Sequence, residues 1–93
     1  MYPGNREEDE LILSCIVVED VIAEYERATK KFGKFHTAHE GYAVLLEEVD
    51  ELWEAVKLNK KKHPERNDLM MREATQVAAM AFRFLHDVCL EEE

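Results

Sequence analysis

Residues 40–57 read Glu40-Gly-Tyr-Ala-Val-Leu-Leu-Glu-Glu-Val-Asp-Glu-Leu-Trp-Glu-Ala-Val-Lys57, and this stretch decides how the chain folds. At about 100° per residue, its apolar side chains share one broad arc of a helix, formed by Val44, Leu45, Val49, Leu52, Trp53 and Val56. Most of the acids lie opposite this arc, but Glu48 falls inside it and Glu51 lies on its edge. A charged carboxylate that faces a core is costly unless it is paired. The rest of the chain should therefore supply a partner for these two carboxylates.

The length and the charge of the chain limit what it can be. Its 93 residues suffice for one small domain, residues 1–93, with residues 1–6 expected to be a frayed start. The 12 basic and 21 acidic side chains give a net charge of -9. Such a surface repels phosphate backbones, which argues against nucleic-acid or anionic-membrane partners but is compatible with a divalent cation. No signal peptide or membrane-spanning run is evident, and we expect a cytoplasmic protein in which Cys15 and Cys89 are small buried residues.

Three helices and no strand are predicted along the chain. The first runs from about residue 7 to residue 31 and ends before Gly33. The second begins at Thr37, which forms a capping box with Glu40, and runs to about residue 61. The third covers about residues 69–90 and is capped by Asn67 or Asp68. We therefore expect an all-α fold with three long helices that form a four-helix-bundle-type core.

The third predicted helix carries apolar or small side chains on most of its surface, including four alanines: Ala74, Ala78, Ala79 and Ala81. A helix that is apolar nearly all round needs neighbours on several sides. Three long helices in one small chain cannot cover it completely. We therefore expect a homodimer or a higher homo-oligomer in which helices from two chains complete the four-helix core.

Glu73 is out of place on this third helix, because its angular neighbours are Met70, Val77, Met80 and Phe84. If the second and third helices pack together, Glu48, Glu51 and Glu73 converge. Three carboxylates cannot all stay ionised side by side without a cation between them. Oxygen ligands of this kind suit Mg²⁺, and Mn²⁺ is also possible.

Each unusual residue also has an ordinary structural explanation. Glu73 can form an ion pair with Arg72, with Arg83 or with a lysine of a partner chain. Glu47 points away from the apolar arc, so a solvated surface acid is its simpler interpretation. Trp53 is expected to pack in the core rather than to stack on a base.

The run Glu47-Glu48-Val49-Asp50-Glu51, followed one loop later by Glu73, resembles the MazG-like all-α nucleoside triphosphate pyrophosphohydrolases. That family carries Glu-Glu-x-x-Glu on one helix and Glu-x-x-Asp on the next, and the resemblance covers roughly residues 37–90. It implies Mg²⁺-dependent hydrolysis of a nucleoside triphosphate to the monophosphate and pyrophosphate, and it suggests a role in nucleotide-pool sanitation. Phosphoribosyl-ATP pyrophosphohydrolases are related enzymes with the same fold, and their activity remains an alternative for this chain.

The resemblance also assigns roles to individual residues. Glu48, Glu51 and Glu73 match the metal ligands, and Gln76 stands where the family has an aspartate. Glu47 is the candidate catalytic or water-orienting group, and the candidates for binding the substrate are Lys34, Lys60, Arg72 and Arg83. Because Gln76 lacks the charge of an aspartate, the affinity for the metal should be lower. The alternative is a non-catalytic MazG-like protein that binds nucleotide or serves as a structural oligomerisation module.

Overall fold

The computed structural model describes residues 6–90 and consists there of three α-helices and no strand. These helices are α1 (Arg6–Phe32), α2 (Ala38–Val56) and α3 (Arg66–Phe84), and a π-helical turn (Leu85–Cys89) follows α3. α3 packs against both α1 and α2. The prediction of an all-α fold is confirmed. Of the predicted frayed start, residues 1–5 lie outside the described residues, whereas Arg6 is already helical.

None of the helices within residues 6–90 is both long and apolar enough to cross a membrane.

The connection between α1 and α2 has the backbone conformation that its sequence predicts. Gly33 ends α1 with a φ of 77°, in the left-handed region that glycine adopts at helix C-termini. Thr37 caps α2, because its Oγ1 accepts a hydrogen bond from the N–H of Glu40 at 3.0 Å. The Glu40 carboxylate in turn accepts from the N–H of His36 at 2.6 Å. The capping box is therefore present, but its second bond is displaced by one residue.

The predicted end of the second helix is wrong, since α2 ends at Val56 rather than near residue 61. The side chain of Asn59 gives the backbone another partner: its Oδ1 accepts from the N–H groups of Lys61 and Lys62 at 2.8 and 3.1 Å. Such local side-chain bonds compete with continuation of a helix. The Arg66 guanidinium also donates to the Val56 carbonyl at 2.9 Å, which satisfies a carbonyl at the end of α2.

The predicted start and end of the third helix also need correction. α3 starts at Arg66, so the cap position is occupied by Glu65 and not by Asn67 or Asp68. The predicted end near residue 90 is not reached in α-helical geometry. The chain changes to the π-helical turn, in which the N–H of Leu90 donates to the carbonyl of Leu85 at 2.9 Å.

The core lies where α3 crosses the end of α1 and the beginning of α2, and its buried apolar residues are Ala28, Phe35, Ala79 and Met80. Arg83 is buried among them, with 3% of its surface exposed. Its guanidinium donates to the Gly33 carbonyl at 2.7 Å and lies 4.2 Å from the centre of the Phe35 ring. The Asp87 carboxylate accepts from the N–H of Phe35 at 3.0 Å. The end of α3 and the turn after it therefore hold the α1–α2 connection in place.

Several side chains that were predicted to be buried are exposed in the single chain. Trp53 is 56% exposed, so its predicted place in the core is wrong for the isolated chain, and Lys57 Nζ lies 5.7 Å from the centre of its ring. Cys15 and Cys89 are exposed as well, which corrects their predicted burial. The reason is that α3 covers one side of α1 and of α2. Within residues 6–90, no further helix covers their other sides.

We predict that Gly41→Ala destabilises the fold. A Cβ atom at this position would lie 2.7 Å from Cδ2 of Phe84 and 3.0 Å from Cδ2 of Phe35. Alanine in a helix interior is normally favoured over glycine by about 1 kcal/mol. Overpacking costs about 1–3 kcal/mol, so the expected net change is a loss of about 1 kcal/mol in the free energy of unfolding. Urea denaturation measures this quantity, and a variant more stable than the wild type would contradict the close packing of α2 on Phe84.

Candidate metal centre

A groove of ≈ 640 Å³ opens between the three helices beside the core. Small-molecule sites commonly enclose about 300–1,000 Å³. Acidic side chains from α2 and α3 line this groove, and so do four basic ones: Arg27, Lys34, Arg72 and Arg83. The groove thus combines possible cation ligands with groups that attract an anion.

Three carboxylates meet in the groove. One oxygen from each of Glu48, Glu51 and Glu73 lies within 4.8 Å of the others. Glu48 and Glu51 are three residues apart on α2 and therefore share one face, and Glu73 comes from the packed face of α3. Glu48 and Glu73 are half-buried, whereas Glu51 is more exposed. The two helices thus bring together the three acids that the helical spacing singled out.

Of the three clustered carboxylates, that of Glu48 has the least favourable environment for a negative charge. Its Oε2 is buried and has no hydrogen-bond partner within residues 6–90. Burial raises the pKa of Glu48 to about 7, and the nearby charges of Glu51 and Glu73 act in the same direction. A buried carboxylate oxygen without a hydrogen-bond partner is costly, because its lost hydration has no replacement. The three carboxylate oxygens fit a hard divalent cation such as Mg²⁺, which would take the place of the proton held by Glu48.

Glu73 is affected in the same way, but less strongly. Burial raises the pKa of Glu73, the charge of Glu51 adds to this effect, and Arg72 opposes it. Arg72 Nε lies 3.7 Å from Glu73 Oε1, so part of the predicted structural ion pair is present. Because the Arg72 side chain is largely exposed, this pair neutralises the cluster only weakly.

Gln76 and Glu47 also line the groove. Gln76 lies about one helical turn after Glu73 and is half-buried. Glu47 is exposed. The pKa of Glu48 is raised mainly by burial and by the charges of Glu51 and Glu73, and the charge of Glu47 makes a smaller contribution in the same direction. Glu47 therefore lines the groove, although its position on the helix points away from the apolar arc of α2.

Of the four basic candidates for substrate binding, three line the groove and Lys60 does not. Lys60 lies in the turn after α2. Arg83 has structural partners, because it donates to the Gly33 carbonyl and its Nη1 lies 3.3 Å from the Met80 sulfur. Arg83 therefore shapes the wall of the groove. The side chain of Arg72, in contrast, is largely exposed.

Two residues of α1 at this site were missed by the sequence analysis. Arg27 lines the groove, and its Nε donates to both oxygens of the Glu24 carboxylate, at 2.9 and 3.1 Å. The hydrogen bonds from Arg27 hold the pKa of Glu24 below its usual value, although burial acts in the opposite direction. The spacing of three residues suggests an ion pair, but α1 is apolar on so many sides that its sequence does not indicate which face meets α3.

The pKa of Glu48 predicts how the stability of the metal-free protein depends on pH. Because the folded protein raises this pKa from 4.5 to about 7, protonation of Glu48 favours folding. The contribution is complete below the unfolded value and is lost as the pH rises through about 7. In the presence of a chelator, the melting temperature should therefore decrease between about pH 5 and about pH 8 more steeply for the wild type than for Glu48→Gln. Thermal denaturation followed by circular dichroism tests this, and equal slopes would contradict it.

Comparison with known proteins finds no match, whether with protein families, with curated protein sequences or with solved structures. The resemblance to the MazG-like enzymes therefore stays a prediction that is based on the motif residues.

Proposed function

We propose that this chain is a divalent-cation-dependent nucleoside triphosphate pyrophosphohydrolase, which releases the nucleoside monophosphate and pyrophosphate. The observation that carries the proposal is the meeting of Glu48, Glu51 and Glu73 in a groove that also contains basic side chains. The unpaired Oε2 of Glu48 supports a bound cation, because a cation supplies the partner that this oxygen lacks. Such an enzyme would act on the nucleotide pool of the cytoplasm.

The three carboxylates would hold Mg²⁺ or Mn²⁺, with the amide oxygen of Gln76 as a neutral fourth ligand. When bound, the cation supplies Lewis acidity, which polarises phosphate oxygens and lowers the pKa of water. Mg²⁺ sites of this kind commonly leave coordination positions for water and for substrate phosphates. A bound cation therefore needs only a few ligands from the protein.

The other groove residues would bind and orient the substrate. With a net charge of -9, the protein as a whole repels a triphosphate, so local cations must attract it. Arg27 and Arg72 line the groove and carry forked guanidinium groups that match phosphate oxygens. Glu47 is an exposed carboxylate beside the cluster, where it can accept a proton from the attacking water. Phe32 adds an apolar surface to the groove against which a base can stack.

Gln76 favours the second candidate function, a non-catalytic module that binds nucleotide or only assembles. Because Gln76 stands where the MazG-like motif has an aspartate, the cluster has one carboxylate fewer than that motif. Calorimetry with a nucleoside triphosphate and Mg²⁺ separates the two candidates when the products are analysed at the same time. Binding without pyrophosphate indicates a nucleotide-binding protein, and no binding of nucleotide or Mg²⁺ indicates a structural module.

We predict that Glu48→Gln and Glu73→Gln each abolish pyrophosphate release while the helical content is retained. Each change removes a charged ligand but keeps the shape of the side chain, so the rate should fall by about a hundredfold or more. The assay uses a panel of canonical and modified nucleoside triphosphates with Mg²⁺ and with Mn²⁺.

The matched control is Glu54→Gln, which changes an exposed glutamate of the same helix that pairs with Lys57 at 2.8 Å. This control should keep wild-type activity. Full activity in either cluster variant would rule out the assigned metal site.

We also propose that the chain associates with itself through α1. Leu11, Cys15, Val18 and Ile22 are spaced four, three and four residues apart, which is the spacing of a helix–helix seam. All four are exposed in the single chain. An exposed apolar stripe of this regularity favours a second helix, and a second copy of the chain is the partner that completes a four-helix core.

Leu11→Glu tests this association, and Leu13→Glu is its matched control. Both leucines are similarly exposed, at 65% and 61%, but they lie about 200° apart around α1. The change at Leu11 should give a monomer in sedimentation equilibrium, because it buries a charge in the seam, whereas the change at Leu13 should leave the oligomer intact. A monomeric wild type, or equal effects of the two changes, would contradict the proposed interface.

A further inference from the structure

The first half of α1 is not covered by the rest of the described chain. All residues of the range 6–20 are exposed, and the buried and half-buried residues of α1 begin with Val21. The exposed part carries apolar side chains on several sides, as the consecutive residues Leu11, Ile12 and Leu13 show. An apolar helix of this kind needs neighbours that cover it. We therefore expect a second polypeptide to supply this cover.

α2 carries another uncovered apolar stripe, formed by Tyr42, Leu46, Val49 and Trp53. These four residues, called the α2 stripe below, are spaced four, three and four residues apart, and they lie within about 60° of one another around the helix. Glu51, which lines the groove, lies about 170° from the centre of this stripe. The four exposed residues of α1 with the same spacing are called the α1 stripe: Leu11, Cys15, Val18 and Ile22.

The two stripes match each other when the helices run in opposite directions. Both have the same length, about 17 Å from the first residue to the last. In antiparallel order, Leu11 faces Trp53 and Ile22 faces Tyr42, and the two inner residues of each stripe face each other as well. Each residue of one stripe thus meets an apolar partner at the spacing that is typical of paired helices.

The charges at the ends of the two helices favour the same direction. The first turn of α1 is acidic and contains Glu7, Glu8 and Asp9. Lys57 follows the last residue of α2, and the three lysines of residues 60–62 come shortly after it. Antiparallel pairing of α1 with α2 places the acidic turn beside these lysines. Two α1 helices paired in parallel would instead place their acidic turns side by side.

The same pairing joins the apolar cores of two copies. Val21 comes directly before Ile22 of the α1 stripe, and Leu45 comes directly before Leu46 of the α2 stripe. Val21 and Leu45 therefore fall on the same side of an antiparallel pair. In their own chain, both residues pack against the buried core. The contact thus continues the core of one copy into the next.

We infer that the α1 stripe of one copy binds the α2 stripe of a second copy in antiparallel orientation. The inference rests on the proposed self-association and identifies the surface that α1 contacts. In a two-fold dimer this contact forms twice, so that α1 and α2 of both copies take part. Glu51 lies on the opposite side of α2, so the groove stays open to a substrate. Trp53, which is exposed in the single chain, becomes a buried residue of the interface.

The first test is Trp53→Glu, with Met71→Glu as its matched control. Met71 is an apolar residue of α3 that belongs to neither stripe, and its exposure of 61% is close to the 56% of Trp53. Sedimentation equilibrium should show loss of the oligomer in Trp53→Glu, because this change places a charge in the contact. The oligomer should persist in Met71→Glu. An oligomer that survives Trp53→Glu, or equal effects of the two changes, overturns the inference.

The second test is disulfide formation between copies in a background without native cysteines, Cys15→Ala/Cys89→Ala. After oxidation, Leu11→Cys/Trp53→Cys should give a disulfide-linked dimer in electrophoresis without reductant, because facing residues meet the short Cα separation that a disulfide requires. Leu11→Cys/Tyr42→Cys is the control and should not give this dimer, since Tyr42 lies about 17 Å from Trp53 along α2. These exchanges introduce no charge, so the test decides the question if Trp53→Glu fails to fold.

The outcomes separate the inferred contact from the proposals on which it rests. A monomeric wild type overturns both self-association and the contact, whereas pyrophosphate release by such a monomer still supports the metal centre. In an oligomeric wild type, a disulfide-linked dimer of Leu11→Cys/Ile22→Cys but not of Leu11→Cys/Trp53→Cys shows that two α1 helices pair with each other. That result overturns only the inferred contact, and so does an oligomer in which neither variant gives a linked dimer.

Discussion

Mutual repulsion among the carboxylates of Glu48, Glu51 and Glu73 is the constraint on which the account of this protein depends. The three carboxylate oxygens lie within 4.8 Å of one another. Two unit charges about 5 Å apart close to a protein surface repel by roughly 3 kcal/mol, and less where solvent screens them. The packing of α2 on α3 nevertheless holds all three acids together. A proton or a cation that neutralises part of the group relieves this repulsion. Burial and nearby charge raise the pKa of Glu48 to about 7, so that a proton can neutralise this carboxylate near neutral pH.

The rest of the fold maintains this packing. Arg83 and Asp87 attach the end of α3 to the α1–α2 connection, and the Gly33 and Thr37 caps determine where α2 begins. The absence of a side chain at Gly41 lets the beginning of α2 pack closely against Phe84 of α3. The same arrangement leaves much of α1 uncovered, so the groove and the proposed oligomer interface use different parts of the chain.

The sequence predicted the helices and the acidic cluster because both depend on local periodicity. Glu73 was found by its apolar angular neighbours, and Glu48 and Glu51 by their place on an apolar arc. Features that depend on competing local bonds or on contacts between helices were not predicted. The side chain of Asn59 ends α2 early, and the exposure of Trp53 depends on which helix is its neighbour.

The cleft between α1 and α3, which Glu24 and Gln76 both line, is the clearest case of such a limit. The periodicity of α1 does not define one buried face, because apolar residues surround much of the helix. The resemblance to a known family is equally limited, since it relates the motif on α2 and α3 to metal binding but assigns nothing to α1. The proposed function therefore rests on the convergence of side chains more than on the fold, which many unrelated activities can share.

The most direct test of the central claim is a crystal structure of the protein soaked in Mn²⁺, with the ion located from its anomalous scattering. The account predicts a peak between the carboxylates of Glu48, Glu51 and Glu73, with the Gln76 amide oxygen turned toward it. A cluster without a peak, or with Arg72 inserted between the carboxylates in place of an ion, would contradict the claim that this is a metal centre.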